Sequence, residues 1–434
     1  MNLSRIKKIV LSTEHIPLLL YLIKWIIICF VLGIIVGGIS AFFLESLHWA
    51  TNWRESHIWI IALLPVGGFI IGLSYYLYGD SVVKGNNLLL EEFHSPKKII
   101  PFRMAPLVLF GTIATHFFGG SAGREGTAVQ IGGAIADRFT KLLHFSKRDR
   151  KIMLIAGISA GFASVFGTPL AGGIFALEVL TLGRIRLDAI IPSFLAAVCA
   201  DYFCNIWDIS HTHYHISEVA AINPGNILWA ILAGIIFGLV AMIFSKSTHA
   251  WNKLFSSTIS YPPLRPAIGG VILAISVFAL GTTKYIGLGI PTIIDAFSEN
   301  LNSYDFLLKI IFTSFTLGCG FKGGEVTPLF FIGATLGNVL IWFIPLPMSL
   351  LAGMGFVAVF AGATNTPIAC TIMGIELFGI EPGVFIAIAC STAYLFSGHS
   401  GVYSSQIIGS PKHNLFVRDK GLSLSEIIKK RTQK

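Results

Sequence analysis

Two glutamates lie 200 residues apart in matching surroundings: Gly120, Gly123, Glu125, Thr127, Gly133 and Ala134 recur as Gly320, Gly323, Glu325, Thr327, Gly333 and Ala334. Each copy sets a carboxylate and a hydroxyl among glycines inside an apolar stretch. A charged side chain in a bilayer core costs several kcal/mol, roughly 2.5 to 3.5 on insertion scales, and therefore faces a protein interior or an ion path. In such a path a glutamate can take up and release a proton. The duplication predicts one site assembled from two halves.

Four segments place glycines or small polar residues where a helix is expected to begin: Gly85-Asn86-Asn87, Gly123 to Thr127, Gly323 to Pro328, and the segment ending in Tyr403. Helix N-termini present unpaired amide N–H groups and the positive end of a dipole, so several of them converging favour an anion.

The elements that must position these residues follow from composition. With 54% hydrophobic residues, 12% charged residues and a mean hydropathy of +0.76, the chain is a polytopic membrane protein. Apolar runs near the roughly 20 residues needed to cross a bilayer occur at Trp25 to Phe43, Ile58 to Tyr78, Ile227 to Phe244 and Pro266 to Leu280. Other runs, at Asn86 to Phe93, Pro291 to Phe297 and Thr366 to Gly379, are too short or too interrupted and predict half-helices or re-entrant segments.

A second correspondence supports the duplication. Thr168, Pro169, Ala171, Ile174 and Glu178 match Thr366, Pro367, Ala369, Ile372 and Glu376 at an offset of 198. Gly161, Phe162, Val165 and Phe166 match Gly355, Phe356, Val359 and Phe360 at 194. The expected organisation is an N-terminal segment 1–16, a first membrane repeat 17–207, a polar connection 208–225, a second repeat 226–415 and a C-terminal tail 416–434. Internal repeats with broken helices point to a transporter or channel whose site lies between the repeats near the bilayer midplane.

The net charge of +9 does not indicate nucleic acid. Its positive residues gather in short segments between apolar runs: Arg5, Lys7 and Lys8; Lys97, Lys98 and Arg103; Lys147, Arg148, Arg150 and Lys151; Lys429, Lys430 and Arg431. No such cluster is interleaved with aromatics on a soluble domain. The positive-inside rule accounts for them and predicts that both termini are cytoplasmic. No removable signal peptide is expected, and a bacterial inner or plasma membrane is the expected location. Cys29, Cys199, Cys204, Cys319, Cys370 and Cys390 read as reduced packing residues rather than metal ligands. His211, His213 and His215 read as a solvated loop, and neither a metal nor a cofactor is expected.

At this point the chain resembles a known family. Gly123-Arg124-Glu125-Gly126-Thr127-Ala128-Val129-Gln130-Ile131-Gly132-Gly133 is similar to the GREGP-type segment of CLC chloride channels and anion/proton antiporters. Gly323-Gly324-Glu325-Val326-Thr327-Pro328 resembles their GxFxP segment, Gly85-Asn86-Asn87 sits where their GSGIP segment belongs, and Tyr403 matches a pore tyrosine near the end of the last membrane helix. The resemblance covers roughly residues 20 to 415. It implies an all-α polytopic membrane protein, a CLC-type inverted repeat of two halves with broken and re-entrant helices. It also implies a homodimer in the lipid bilayer with one anion path per subunit and no regulatory cytoplasmic domain.

The departures from the common pattern narrow the expectation. Asn86 and Thr127 replace the usual serine and proline, Val326 replaces the GxFxP phenylalanine, and Val179 stands where chloride/proton antiporters carry an internal proton acceptor. Together these are similar to the fluoride/proton antiporter branch, whose implied activity is the export of fluoride in exchange for protons. The alternative is a chloride/proton antiporter or passive, voltage-gated type chloride channel of the same family. The resemblance implies that Glu125 is the external gate and proton carrier, with Glu325 a candidate for inner proton coupling. The implied anion-binding set is Asn86, Thr327, Tyr403, Gly85, Gly126 and Val326. Small, strongly hydrated fluoride needs hard donors, which amide N–H groups and hydroxyls supply.

Each of these residues also has a structural reading. Asn86 can cap a helix beginning near Leu88. Glu125 can pair with Arg124 or cap its own helix, and Glu325 can satisfy local backbone amides. Glu178 and Glu376, equivalent in the repeats, are expected to hydrogen-bond neighbouring helices. His116 is expected to be a satisfied core histidine. Ser121 and Ser159 complete G-x-S-x-G patterns, but neither follows a strand in an alternating strand and helix pattern, so no enzyme is expected.

Overall fold

The structure is a computed structural model that describes residues 15–209 and 211–432. The cluster at Arg5, Lys7 and Lys8, and most of the expected N-terminal segment, lie outside the described residues.

The first half runs through α1 (His15–Ser56), α2 (Leu64–Tyr78), α3 (Asn86–His94), α4 (Met104–Phe118), α5 (Glu125–Leu142), α6 (Lys147–Phe166), α7 (Pro169–Glu178) and α8 (Ile190–Asn205). The second comprises α9 (Pro224–Thr258), α10 (Leu264–Leu280), α11 (Ile290–Asp295), α12 (Asp305–Gly318), α13 (Val326–Leu340), α14 (Met348–Thr364), α15 (Pro367–Phe378) and α16 (Gly383–Phe396). Beyond them β1 (Thr181–Leu182) pairs in parallel with β2 (Ile407–Ile408), and α17 (Leu424–Thr432) buries Leu424 and Ile427 beside that pair. Among the described residues the named elements are all α-helical or 3-10 apart from this pair, with short or broken helices where they were expected: α3, α11 and α15.

Two spans are longer than their apolar runs suggest. The run Trp25 to Phe43 lies within a helix of 42 residues, about 63 Å at 1.5 Å per residue, roughly twice a bilayer core. The run Ile227 to Phe244 likewise lies within the 35 residues of α9. Hydropathy locates the part of a helix in hydrocarbon, whereas the helix itself continues until a capping or breaking signal. For α9 the starting signal is Asn223, whose side chain accepts a hydrogen bond from Asn226 N at 2.9 Å, followed by Pro224 at the first helical position.

Reciprocal capping ties the two halves together. Thr168 and Thr366 precede α7 and α15, but neither side chain makes a cap bond. The Glu178 carboxylate, at the end of α7, accepts from Ile368 N at 3.1 Å and Ala369 N at 2.8 Å. Glu376, on α15, accepts from Leu170 N at 2.9 Å and Ala171 N at 2.7 Å. Each acid therefore caps the other half's helix, as the expectation of a structural role requires. Glu178→Ala should cost about 1 to 3 kcal/mol, because it leaves the buried Ala369 amide and the part-buried Ile368 amide unpaired. Glu376→Ala should cost less, since Glu376 is only half-buried. Thermal loss of the size-exclusion peak in detergent measures both, and equal or negligible losses would count against the caps.

One charge of the Lys147–Lys151 cluster is not on the surface. Arg150 is buried and bonds Asp137 through Nε at 2.7 Å and Nη2 at 2.8 Å, and also Glu92 at 3.2 Å. This network fixes the start of α6 against α5 and α3. The six cysteines are free, and all but Cys199 are buried.

Candidate functional site

The site begins where the two glycine-rich segments meet. Gly123 N donates to Gly324 O at 2.6 Å, and Gly324 N donates to Gly123 O at 2.7 Å. This antiparallel bridge places the first turn of α5 beside the first turn of α13, so the repeated motifs form one locus. Gly126 sits against it: a Cβ there would lie 3.0 Å from Asn86 Nδ2 and 3.6 Å from Glu325 Oε2. Asn86, Gly126 and Glu325 are thereby neighbours.

Glu125 is 1% exposed and is held by the opposite half. Its carboxylate accepts from Thr327 N at 3.2 Å, from the Thr327 hydroxyl, and from Arg124 N at 3.1 Å, with Arg124 Nε 3.6 Å away. The pairing with Arg124 is present, but the cap it provides is to α13 rather than to its own helix. The donors expected for an anion, a helix-end amide and the Thr327 hydroxyl, are given to this carboxylate.

Asn86 does not cap α3. Gly85 takes the N-cap position at φ +57°, ψ −130°, a left-handed backbone that favours glycine, and Asn86 becomes the first helical residue. Its side chain makes no capping bond, and its buried Oδ1 has no hydrogen-bond partner. Because Asn86 Oδ1 accepts from no amide, the capping reading is replaced by an unpaired side-chain oxygen at the start of α3. Glu325 likewise makes no cap bond at the start of α13, and its buried Oε2 is also unpartnered.

Tyr403 is buried, but it neither precedes a helix nor lies in the last membrane helix. α16 ends at Phe396, and Tyr403 sits seven residues further on, in an extended turn leading to β2. Gly398, at φ +62°, marks the break. Asn87, given from sequence no role of its own, and Gln406, not named there, hold this turn in place. Asn87 Oδ1 accepts from Ser405 N at 2.9 Å, tying it to α3. Gln406 is fully buried and donates to Val179 O at 2.8 Å and Thr364 O at 3.1 Å.

Two cavities flank the bridge. A wide one, about 450 Å³, is lined by Gly85, Asn86, Glu325 and Tyr403. A narrow one, about 20 Å³, is lined by Arg124, Glu125, Thr327 and Phe330, and is covered by His211 and Tyr214. Val326 is buried but lines neither, so it offers the locus only its backbone at the start of α13. The expected solvated loop is therefore split: His213 and His215 are exposed, whereas His211 packs towards the glutamate. Burial, then Arg124 and His213 nearby, push His211 down to about 4, which leaves its imidazole neutral at physiological pH.

Other expected residues fall elsewhere. His116 is a fully buried core residue whose ring lies beside the Gly123 backbone amide. Ser121 Oγ pairs with Thr313 Oγ1 at 2.8 Å, and Ser159 Oγ donates to Ser193 O at 2.7 Å, which gives both serines structural bonds.

Two inverted halves that meet at paired helix N-termini, with the Glu125 carboxylate on a narrow cavity and Glu325 on a wide one, define a membrane ion transporter or channel. The chain belongs to the CLC family: the voltage gated chloride channel profile matches residues 67–398. It is 51% identical over 407 residues to a chloride/fluoride channel protein of Pseudomonas syringae pv. tomato, covering 92% of this chain and 90% of that protein. It is 25% identical over 414 residues to the H(+)/Cl(−) exchange transporter ClcA of Cronobacter sakazakii, covering 86% and 87%. The crystal structure of a CLC-type fluoride/proton antiporter superposes with a TM-score of 0.86 at 34% identity, over 91% of this chain and 99% of that one.

Proposed function

We propose that the protein is a homodimeric antiporter that expels fluoride across the inner or plasma membrane in exchange for protons, with both termini in the cytoplasm. The observation that carries this reading is the seat of Glu125. Its carboxylate takes the α13 amide and the Thr327 hydroxyl, donors that an anion would otherwise use. An anion arriving at those donors displaces the glutamate, and a displaced glutamate takes up a proton. The two ions are thereby coupled through one set of hydrogen bonds.

The remaining roles follow from position. Asn86 and Tyr403, on the wall of the wide cavity, supply an amide and a hydroxyl in exchange for fluoride's water. Glu325 stands on that same wall with an unpartnered oxygen and holds the proton on the inner side. It does so where Val179 cannot, because Val179 has no titratable group and its backbone carbonyl is engaged by Gln406.

The test is fluoride and chloride efflux from liposomes holding the purified protein, with external pH followed in the same vessel. Fluoride efflux with opposing proton movement and little chloride supports the proposal. Comparable chloride flux moves the assignment to the chloride reading. Asn86→Ser should lower the preference for fluoride over chloride by about tenfold, since a lost amide hydrogen bond to a charged group is worth about 1.5 to 3 kcal/mol. An unchanged ratio of the two fluxes would remove Asn86 from the filter.

A further inference from the structure

The wide cavity has four basic residues on its wall, and three are already engaged. Lys84 pairs with Glu91 at 2.7 Å, Arg265 donates to Ile259 O at 2.9 Å, and His249 bonds Gly401 O at 2.9 Å. Lys322 differs. Among the described residues it has no carboxylate within ion-pairing distance; its ammonium lies 4.2 Å from the ring centroid of Tyr75. It is half-buried, three residues before Glu325, in the turn that joins α12 to α13.

The surroundings explain why this matters. Lys322 and Tyr75 line both the wide cavity and an adjoining space of about 740 Å³, so the stacked pair stands in the wall between two volumes large enough for water and small ions. The Tyr75 ring holds the ammonium by cation–π attraction without neutralising it. An uncompensated cation in a recessed cleft concentrates anions there, because low-dielectric walls focus its field. Among the described residues of this wall, Lys322 is thus a cation with neither a carboxylate nor a hydrogen-bond partner, placed where an anion would pass on its way to Asn86 and Tyr403.

We propose that Lys322 is a positioning residue that recruits the transported anion into the wide cavity, separate from the steps that move the proton. This rests on the antiport reading for the identity of the cargo. It predicts an effect on how much fluoride is needed rather than on how the two ions are coupled.

The experiment is fluoride transport in liposomes over a range of fluoride concentrations, comparing the unsubstituted protein with Lys322→Met and Lys322→Arg. Methionine keeps the apolar stem against Tyr75 and removes the charge. It should raise the half-saturating fluoride concentration roughly tenfold, the lower end of the enrichment a charged cleft provides. The maximal rate and the ratio of protons to fluoride should stay unchanged, and arginine should restore the unsubstituted value. Added impermeant salt should narrow the gap by screening the charge. An unchanged half-saturating concentration would overturn the proposal. So would a fall in maximal rate or a changed proton ratio, because either would place Lys322 in the coupling machinery. If Lys322→Met is not recovered as a folded protein, Lys322→Gln is measured instead, and failure of both while Lys322→Arg folds would mark the charge as structural. Unsubstituted protein that moves fluoride without protons would defeat the antiport reading and leave the recruiting role standing.

Discussion

Liposomes carrying Glu125→Gln protein are expected to show proton movement at least about a hundredfold below that of the unsubstituted protein, the low end of what a positioned proton-transfer group contributes. Glutamine preserves shape and can still accept from Thr327 through its amide oxygen, so the seat on α13 survives. What it cannot do is bind and release a proton within the transport cycle. Any fluoride that still passes should therefore pass uncoupled. Glu125→Asp provides the complementary test, because it keeps a titratable group but withdraws it by one methylene from the Thr327 amide. Its coupling should be impaired but measurable. Undiminished proton movement in the glutamine variant would remove Glu125 from the proton path and, with it, the link between anion displacement and protonation.

How much of this site can be read from sequence depends on whether the relevant contacts are repeated or unique. Glu125 and Glu325 are legible because each appears in a copy of the same motif, and the Gly123–Gly324 bridge is the physical result of that copying. The paired caps of Glu178 and Glu376 are legible for the same reason. Contacts made only once are not. Asn87 reaches Ser405 across 318 residues, and Gln406 spans Val179 and Thr364, with no spacing to announce either. Without those bonds Tyr403 has no sequence signal placing it in a turn beyond α16.

Local propensity misled at two points. Asparagine is a favoured cap, but Gly85 already occupied the cap with a backbone that asparagine adopts less readily, which released Asn86 into the cavity. Hydropathy marked only the hydrocarbon-embedded part of α1, since nothing in the flanking residues stops the helix before Ser56. In each case the neighbouring residue decides, and composition over a window cannot show it.

The second large effect concerns the glycines that let the site helices approach their partners. α5 lies against α6 where Gly132 and Gly157 meet, and α13 lies against α14 where Gly333 and Gly355 meet. A Cβ on any of the four would collide with the facing glycine's carbonyl oxygen. Backbone cannot rotate aside as a side-chain tip can, so a methyl group there must push the helices apart. Overpacking of this kind typically costs about 1 to 3 kcal/mol, and more where backbone is the obstacle. Gly333→Ala should accordingly lower the temperature at which the folded protein is lost in detergent. It should also reduce transport, because Thr327 lies on the same helix six residues earlier. Gly38→Ala supplies the matched control: it sits inside α1 with nothing within 4 Å of an added Cβ. There the same methyl should stabilise by about 0.5 to 1 kcal/mol through helix propensity. Opposite signs for one chemical change would show that the crossing distance, and not glycine's flexibility, sets the geometry of the anion donors. Equal stability of the two variants would show that the helices can separate without cost, and the close crossing would then have no part in holding Thr327 against Glu125.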